Sequence, residues 1–186
     1  MRGQARLGEE KISKLLMEFS IPAIIGMVVN TLYNIVDRMY IGNIKDIGGL
    51  ALTGVGITMP IMTIIMAFGM LIGIGTSARI SLKLGEHKRE EAEKHLGNAF
   101  TLIIIASVLI TIIGLVFMHK ILGLFGASAD TEIYAREYMQ IIFFGTIFNM
   151  LSFGLNHSIR SDGSPKVAML SMLIGAGTNI ILDRKS

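Results

Sequence analysis

Apolar residues fall into five long blocks along this chain, and short polar stretches separate them. The blocks cover about residues 15–41, 50–78, 96–118, 138–159 and 167–182. Blocks of about 20 apolar residues match the hydrocarbon thickness of a lipid bilayer. Because lipid contains no water, each backbone N–H must find its partner within its own segment, and a helix achieves this. The pattern therefore predicts an all-α polytopic membrane protein with about five transmembrane helices.

Composition narrows the class of protein further. Of the 186 residues, 52% are hydrophobic and only 17% are charged, whereas a soluble domain usually carries about 25% charged residues. The lack of cysteine excludes disulfides, thiolate metal sites and thiol nucleophiles. No nucleophile–base pair or cluster of metal ligands stands out in the sequence. We therefore expect neither an enzyme nor a cofactor, and a lipid bilayer rather than a nucleic acid as the partner.

The positive charges predict how the chain is oriented. With the N-terminus inside, eleven lysine and arginine residues lie in the cytoplasmic pieces: Arg2, Arg6, Lys11, Lys14, Arg79, Lys83, Lys88, Arg89, Lys94, Arg160 and Lys166. Four lie in the outer pieces: Arg38, Lys45, Lys120 and Arg136. Membrane proteins concentrate positive residues in their cytoplasmic loops. We therefore expect a multi-pass protein of the cell (inner) membrane with a cytoplasmic segment over residues 1–14.

Shorter patterns concern helix packing and one loop. Gly69 and Gly73 form a GxxxG pair with Gly75 close behind, which favours the close approach of two membrane helices. A methionine stripe at helical spacing fits either packing or a soft, adaptable substrate wall, and it contains Met59, Met62, Met66 and Met70. In the polar loop SLKLGEHKREEAEKHLGN, the EEAEK core is expected to form a short surface helix.

A polar stripe crosses the first apolar block. Asp37 lies near the outer end of this block, and an ionised carboxylate at the bilayer centre costs about 2.5–3.5 kcal/mol on insertion scales. The polar residues Asn30, Tyr33 and Asn34 precede Asp37 by seven, four and three residues, so they share one helix face with it. A polar face that ends in a carboxylate predicts that Asn30, Tyr33 and Asn34 line a cavity.

The fifth block ends in a second polar pair, Asn179 and Asp183. Their i, i+4 spacing places an amide and a carboxylate on one helix face. At 1.5 Å per residue, Asp183 lies about 26 Å outward of the preceding loop, and Asp37 lies about 8 Å short of the outer end of the first helix. The two carboxylates are thus predicted at comparable levels in one shared site. Alternatively, both are interfacial and are capped by Arg38 and Arg184.

The chemistry of such a shared site is cation exchange. Burial favours the neutral form of a carboxyl group, so a proton can bind and leave. Oxygen ligands suit a hard cation such as sodium equally well. We expect Asp37, Asn179 and Asp183 to bind the coupling ion, which is sodium or a proton, and we expect no other metal.

Four stretches of the sequence resemble the multidrug and toxic-compound extrusion (MATE) family of transporters. They are IPAIIGMVVNTLYNIVDRMYIG, GIGTSARISLKLGEHKREEAEKHLGNAF, NHSIRSDGSPKVAM and TNIILD, and the resemblance covers about residues 11–183. It implies twelve membrane helices in two six-helix lobes, and export of cationic, lipophilic drugs against an inward flow of sodium or protons. It also implies that Asp37, Asn179 and Asp183 line an amino-lobe cavity and take part in coupling-ion binding.

The chain departs from the family's pattern at its end. Family members continue past the matching Asp through a sixth helix and a second lobe, whereas Arg184, Lys185 and Ser186 stand here. Residues 15–183 are therefore expected to form an incomplete six-helix amino-terminal lobe, followed by a truncated tail at 184–186. Alternating access moves one lobe against another. We thus expect the chain to be inactive alone, or to need the missing carboxy-terminal lobe or a complementing chain.

Two other functions stay open at this point. A flippase for lipid-linked saccharides shares the architecture, although such cavities tend to be cationic, whereas the charges here are Asp37 and Asp183. A non-transporting membrane subunit that assembles with a partner, or regulates it, would fit the short length.

Overall fold

The chain forms a bundle of helices. The computed structural model describes residues 11–45 and 47–183, the side chains of 176 and 179–183 excepted. Within this part there are six helices and no strand: α1 (Ile12–Gly42), α2 (Gly48–Gly85), α3 (Arg89–Val116), α4 (Met118–Leu124), α5 (Ala129–Ser161) and α6 (Pro165–Asp183). Helices α1, α2, α3 and α5 are each long and apolar enough to cross a membrane, and α6 contains a shorter apolar stretch, Pro165–Gly175. The predicted all-α polytopic class is confirmed.

The helices extend beyond the apolar blocks, and one expectation about a loop is wrong. The EEAEK segment does not form a helix of its own, because it makes up the first turns of α3. Glu90 and Glu91 lie in the first turn of α3, where the positive end of the helix dipole favours acidic side chains. At its other end, α3 stops at Val116, within the third apolar block, and the short helix α4 follows.

The core of the bundle lies among α2, α3, α4 and α5. Its buried residues are Ile61, Ile65, Ile103, Met118, Leu122, Ala135, Met139, Phe143 and Met150. A side-chain hydrogen bond also crosses between helices, since Thr111 Oγ1 of α3 donates to the backbone carbonyl oxygen of Phe143 in α5 at 2.9 Å. We call α2, α3 and α5 the central trio.

Glycine allows α2 and α5 of the central trio to approach closely. A Cβ atom on Gly73 would lie 2.8 Å from both the Cα and the carbonyl oxygen of Gly154. A Cβ atom on Gly69 would lie 3.4 Å from the Cα of Met150. The predicted Gly69–Gly73 pair therefore lies at a contact between two helices. Small residues commonly occupy such contacts in membrane proteins. Gly75 faces open space, with no described atom within 4 Å of an added Cβ.

Helices α1 and α6 form a second, looser unit, which we call the peripheral pair. Pro22 and Gly26 are the buried residues among those described in α1. The Sδ atom of Met172 in α6 lies 3.1 Å from the position that a Cβ on Gly26 would occupy. The contact between the two helices thus passes through a flexible thioether side chain.

Tight turns follow the C-terminal ends of α2 and α5. At the end of α2, the N–H of Lys88 donates to the carbonyl of Lys83 at 2.9 Å and that of His87 donates to Leu84 at 3.1 Å. This pair of hydrogen bonds is a Schellman motif, which needs a left-handed residue in its turn. His87 is the left-handed residue of this turn, with φ 61°. In the turn that follows α5, the left-handed residue is Gly163, with φ 83°.

Candidate functional site

The polar face of α1 is divided between exposed and half-buried residues. Tyr33 and Asp37 are half-buried, whereas Asn30 and Asn34 are exposed. Asn34 Nδ2 donates to the backbone carbonyl of Asn30 at 2.7 Å, so this amide is engaged within its own helix. The side of the stripe that turns toward neighbouring helices is therefore the one that carries the aromatic ring and the carboxylate.

The C-terminal end of α1 lies close to the central trio. Asp37 and Arg38 are within electrostatic reach of Tyr138 in α5. The hydroxyl of Tyr138 donates to Met62 Sδ of α2 at 3.9 Å. Met62 also packs against the buried core, so this member of the methionine stripe has a packing role. At the level of Asp37, α1 therefore lies near Tyr138 of α5, which contacts Met62 of α2.

The end of α6 has a helical backbone through Asp183. The side chains of Asn179 and Asp183 lie outside the described residues. Only the positions of these two residues along the helix backbone can therefore be used. Tyr33 and Asp37, in contrast, are described together on α1.

The register between α1 and α6 follows from their contact at Gly26 and Met172. Three long helices cross the bundle between α1 and α6, so the two members of the peripheral pair run in the same direction. Asp37 follows Gly26 by eleven residues, and Asp183 follows Met172 by eleven residues. At 1.5 Å per residue, both backbone positions lie about 16 Å beyond the contact, toward the C-terminal ends of the two helices.

The match to a known family covers most of the chain. A profile of the family described as MatE matches residues 22–184. The chain belongs to this MATE family. Its helices make it a multi-pass membrane protein, and the resemblance recognised in the sequence is confirmed.

Similar proteins show how much of a MATE transporter is present. The multidrug export protein MepA of Staphylococcus haemolyticus is 33% identical over 177 residues, which is 94% of this chain and 38% of MepA. The MATE multidrug transporter DinF-BH, solved in complex with R6G, is 43% identical with a TM-score of 0.89. That match covers 97% of this chain and 40% of DinF-BH.

A second solved structure leads to the same conclusion. It is the outward-facing conformation of a multidrug resistance MATE family transporter of the MOP superfamily, at 30% identity and a TM-score of 0.89. The match covers 98% of this chain and 40% of that one. The chain therefore spans about two fifths of the length of the relatives that it matches.

A polar network at the C-terminal end of α5 holds α6 of this MATE chain, and sequence reasoning missed it. Asn156 Nδ2 donates to the Ala168 carbonyl at 3.0 Å and to Ser171 Oγ at 3.4 Å. Arg160 Nε donates to Asn156 Oδ1 at 3.0 Å, and Arg160 Nη2 donates to Met172 Sδ at 3.8 Å. The signal that could have found it is the i, i+4 spacing of an amide and a guanidinium at the end of an apolar block.

A cleft lies beside this network. It has a volume of about 250 Å³ between α5 and α6 and is lined by Phe148, Leu151, Ser152, Leu155, Asn156, Ile159 and Ser171. The four polar residues of α1 are not among those that line it. The cleft is therefore a feature separate from the face that carries Asp37.

The turn between α2 and α3 carries an ionic cluster at the surface. Lys83 Nζ lies 3.1 Å from a carboxylate oxygen of Glu86 and 2.9 Å from one of Glu91, and Lys88 Nζ lies 3.0 Å from Glu86. The hydrogen bonds that Lys83 donates to the carboxylates of Glu91 and Glu86 raise the pKa of Lys83. Lys88 and then Lys83 lower the pKa of Glu86, and Lys83 lowers the pKa of Glu91.

Metal ligands are sparse in the described part of the molecule. Among the residues whose side chains the structure describes, no three His, Cys, Asp or Glu residues lie close enough together to hold a metal ion. The side chain of Asp183 lies outside the described residues.

Proposed function

We propose that this chain supplies the coupling-ion site of a MATE-type multidrug antiporter. Such an antiporter exports cationic, lipophilic compounds in exchange for sodium or protons. In this proposal Asp37, Asn179 and Asp183 bind the ion. The observation that carries the proposal is the equal distance of Asp37 and Asp183 from the contact between Gly26 and Met172. MATE relatives are transporters, and we propose no enzymatic activity for the chain.

The chemistry of the proposed site is competition among positive charges. A carboxylate inside the membrane is costly unless a cation or a proton neutralises it, so Asp37 favours an occupied site. Sodium or a proton entering from outside would bind the two carboxylates, and a cationic drug would be released. Tyr33 and the amides of Asn30 and Asn34 lie beside Asp37 on α1 and would supply polar groups to the cavity wall.

Orientation and assembly form part of the same proposal. The excess of positive charge in the N-terminal segment and alternate loops favours a cytoplasmic N-terminus in the cell (inner) membrane. Alternating access requires a second lobe that moves against the first. Since the chain spans about two fifths of its relatives, we propose that transport needs a carboxy-terminal lobe or a complementing chain.

Ion-linked stability tests the proposed site without requiring transport. The purified chain in lipid nanodiscs is melted over a range of sodium concentrations and, separately, over a range of pH. A ligand at 100 times its dissociation constant stabilises the folded state by about 2.7 kcal/mol. We expect a rise in Tm with sodium or with protons in the unmodified chain. Asp37→Asn and Asp183→Asn should each remove most of this rise.

The matched control is Asp130→Asn, which neutralises an exposed carboxylate in the first turn of α5. We expect this variant to keep the full ion response. A response that survives in the double variant Asp37→Asn, Asp183→Asn would contradict the site. In liposomes, we expect the chain alone to give no ion-coupled efflux of R6G, and robust efflux would contradict the need for a second lobe.

A further inference from the structure

The cytoplasmic start of α6 is attached to α5 by a side chain rather than by apolar packing alone. Asn156 donates to the backbone carbonyl of Ala168, one turn into α6, at 3.0 Å. The same amide nitrogen reaches Ser171 Oγ at 3.4 Å, almost one turn farther on. Two donors from one rigid amide, aimed at two successive places on α6, restrict both its depth and its rotation.

Arg160 orients the Asn156 amide and extends the contact toward α1. Its Nε donates to Asn156 Oδ1 at 3.0 Å, which fixes the amide so that Nδ2 faces α6. Its Nη2 donates to Met172 Sδ at 3.8 Å, and this sulfur packs on Gly26 of α1. The hydrogen bonds thus join the central trio to α6, and the packing of Met172 on Gly26 continues the path to α1.

The geometry of a helix makes this attachment important at a distance. A slip of one residue along α6 would move every later residue by 1.5 Å and turn it by about 100°. Asp183 lies fifteen residues beyond Ala168 on the same helix. A binding site works only when its groups are held within about 0.5 Å of the productive geometry. Restricting α6 at Ala168 thus restricts where Asp183 can stand relative to Asp37.

We propose that Asn156, oriented by Arg160, is a positioning residue for the ion site. It sets the depth and rotation of α6 so that Asn179 and Asp183 lie at the level of Asp37. The inference rests on the proposed function for the identity of the site, and it concerns a residue that does not contact the ion. The central trio has its own buried core, which excludes Asn156, so the fold should survive a change at this position.

Spin labels measure the position of α6 directly. The chain has no cysteine, so labels can be introduced at chosen positions without background. One pair joins Ile174→Cys on α6 to Leu71→Cys on α2, and a second joins Ile174→Cys to Ile24→Cys on α1; all three native side chains are exposed. Distances are measured in nanodiscs by pulsed electron resonance, and the ion response of Tm is measured on the unlabelled variants.

The variants separate the donors of Asn156 from its acceptor. Asn156→Asp keeps an oxygen for Arg160 but removes the N–H groups that reach α6, and Asn156→Ala removes both. We expect both variants to broaden or shift the distances from α6 by several ångströms. Both should also raise the sodium or proton concentration at half-saturation about ten-fold. Ser152→Ala, one turn earlier on α5 and lining the same cleft, should leave both measurements unchanged.

Three results would overturn the proposal. One is parental distances in Asn156→Ala, and a second is parental distances in Asn156→Asp, because either shows that the amide donors do not position α6. A parental half-saturation despite shifted distances would also overturn it, since the position of α6 would then not matter to the ion. The lack of any ion response in the unmodified chain would instead count against the proposed function, while the distances still decide the positioning role.

Discussion

The central trio and the peripheral pair differ in how their helices are held. In the most apolar stretch of α2 and of α5, 28% of the residues are buried within the chain, against 11% in α1. The trio encloses the apolar core, whereas the peripheral pair carries the polar residues proposed to bind the ion. The proposed ion site therefore includes a residue of α1, whose apolar stretch is less buried within this chain than those of α2 and α5.

The two units also differ in whether their helices meet through backbone atoms or through side-chain atoms. In the trio, the backbones of α2 and α5 meet at Gly73 and Gly154. In the peripheral pair, the contact at Gly26 is with the end of the Met172 side chain. Lipid tails are as apolar as the helix surfaces, so packing decides how firmly membrane helices associate. A backbone contact cannot adjust and a thioether can, which makes the trio a scaffold and the pair its adjustable part.

The largest expected effect comes from overfilling the backbone contact in the trio. Gly73→Leu would drive a side chain into the Cα and carbonyl oxygen of Gly154, which lie 2.8 Å from the new Cβ. Overpacking costs about 1–3 kcal/mol where neighbours can shift, and more where they cannot. We expect a loss of about 3 kcal/mol or more, seen as a lower midpoint of unfolding in mixed detergent.

The matched control lies two residues farther along α2. Gly75→Leu makes the same chemical change, but an added Cβ there meets no described atom within 4 Å. We expect the midpoint of this variant to equal or exceed the parental value, because leucine also favours helix more than glycine does. Equal losses in the two variants would show that helix propensity or membrane insertion, and not the α2–α5 contact, sets the stability.

Replacing one glycine by alanine in each unit compares the stability of the trio contact with that of the pair contact directly. Gly73→Ala should destabilise the chain by about 1–2 kcal/mol, since the neighbouring atoms are backbone. Gly26→Ala should be neutral or stabilising by about 0.5 kcal/mol, because Met172 can rotate away and alanine favours helix. Unfolding midpoints of the two variants check this. A larger loss for Gly26→Ala would reverse the assignment of scaffold and adjustable part.

Much of this division could be predicted from the sequence. The lengths of the apolar blocks gave the membrane helices, and the Gly69–Gly73 pair indicated a close contact that the structure contains. The pattern could not show which helix would meet Gly73, because a GxxxG pair carries no information about its partner. The prediction that EEAEK forms a short surface helix was wrong about its extent, because the segment continues into α3. Acidic residues suit the first turn of a long helix as well as they suit a short surface helix.

The candidate site was harder to predict in detail. Helical spacing placed Asn30, Tyr33, Asn34 and Asp37 on one face, but burial divides that face, since the two asparagines are exposed. Spacing sets the angle of a side chain about its own helix, whereas burial depends on neighbours that are distant in sequence. Asn156 was overlooked for the same reason, because its partner carbonyl belongs to another helix.

The turns that follow α2 and α5 offer an intermediate test of the comparison. His87, within the trio, has φ 61°, a left-handed conformation that costs a non-glycine residue about 1 kcal/mol. His87→Gly should recover part of this and raise the unfolding midpoint slightly. Gly163 joins the trio to α6 and has φ 83°, so Gly163→Ala should cost about 1 kcal/mol. An unchanged midpoint in both variants would mean that neither turn limits stability.

The smallest expected effect concerns the ionic cluster of the turn between α2 and α3. The lowered pKa values of Glu86 and Glu91 stabilise the turn above the ordinary glutamate value of 4.5, and this is lost as pH falls through the lowered values. The raised pKa of Lys83 stabilises the turn below the ordinary lysine value of 10.5, and this is lost as pH rises through the raised value. The turn should therefore be firmest between these limits.

Lys83→Gln removes the one residue that pairs with both glutamates, so it should weaken the pH dependence at both ends of this window. Glu91 should return toward its ordinary pKa, while Glu86 keeps Lys88 as a partner. Amide hydrogen exchange at Leu84 to Lys88, followed with pH, measures this local stability. Arg89→Gln is the control, because Arg89 pairs with Glu93 outside the cluster. Since salt at 1 M screens exposed charges, a difference between the chain and Lys83→Gln that persisted there would assign the effect to packing of the lysine stem rather than to its charge.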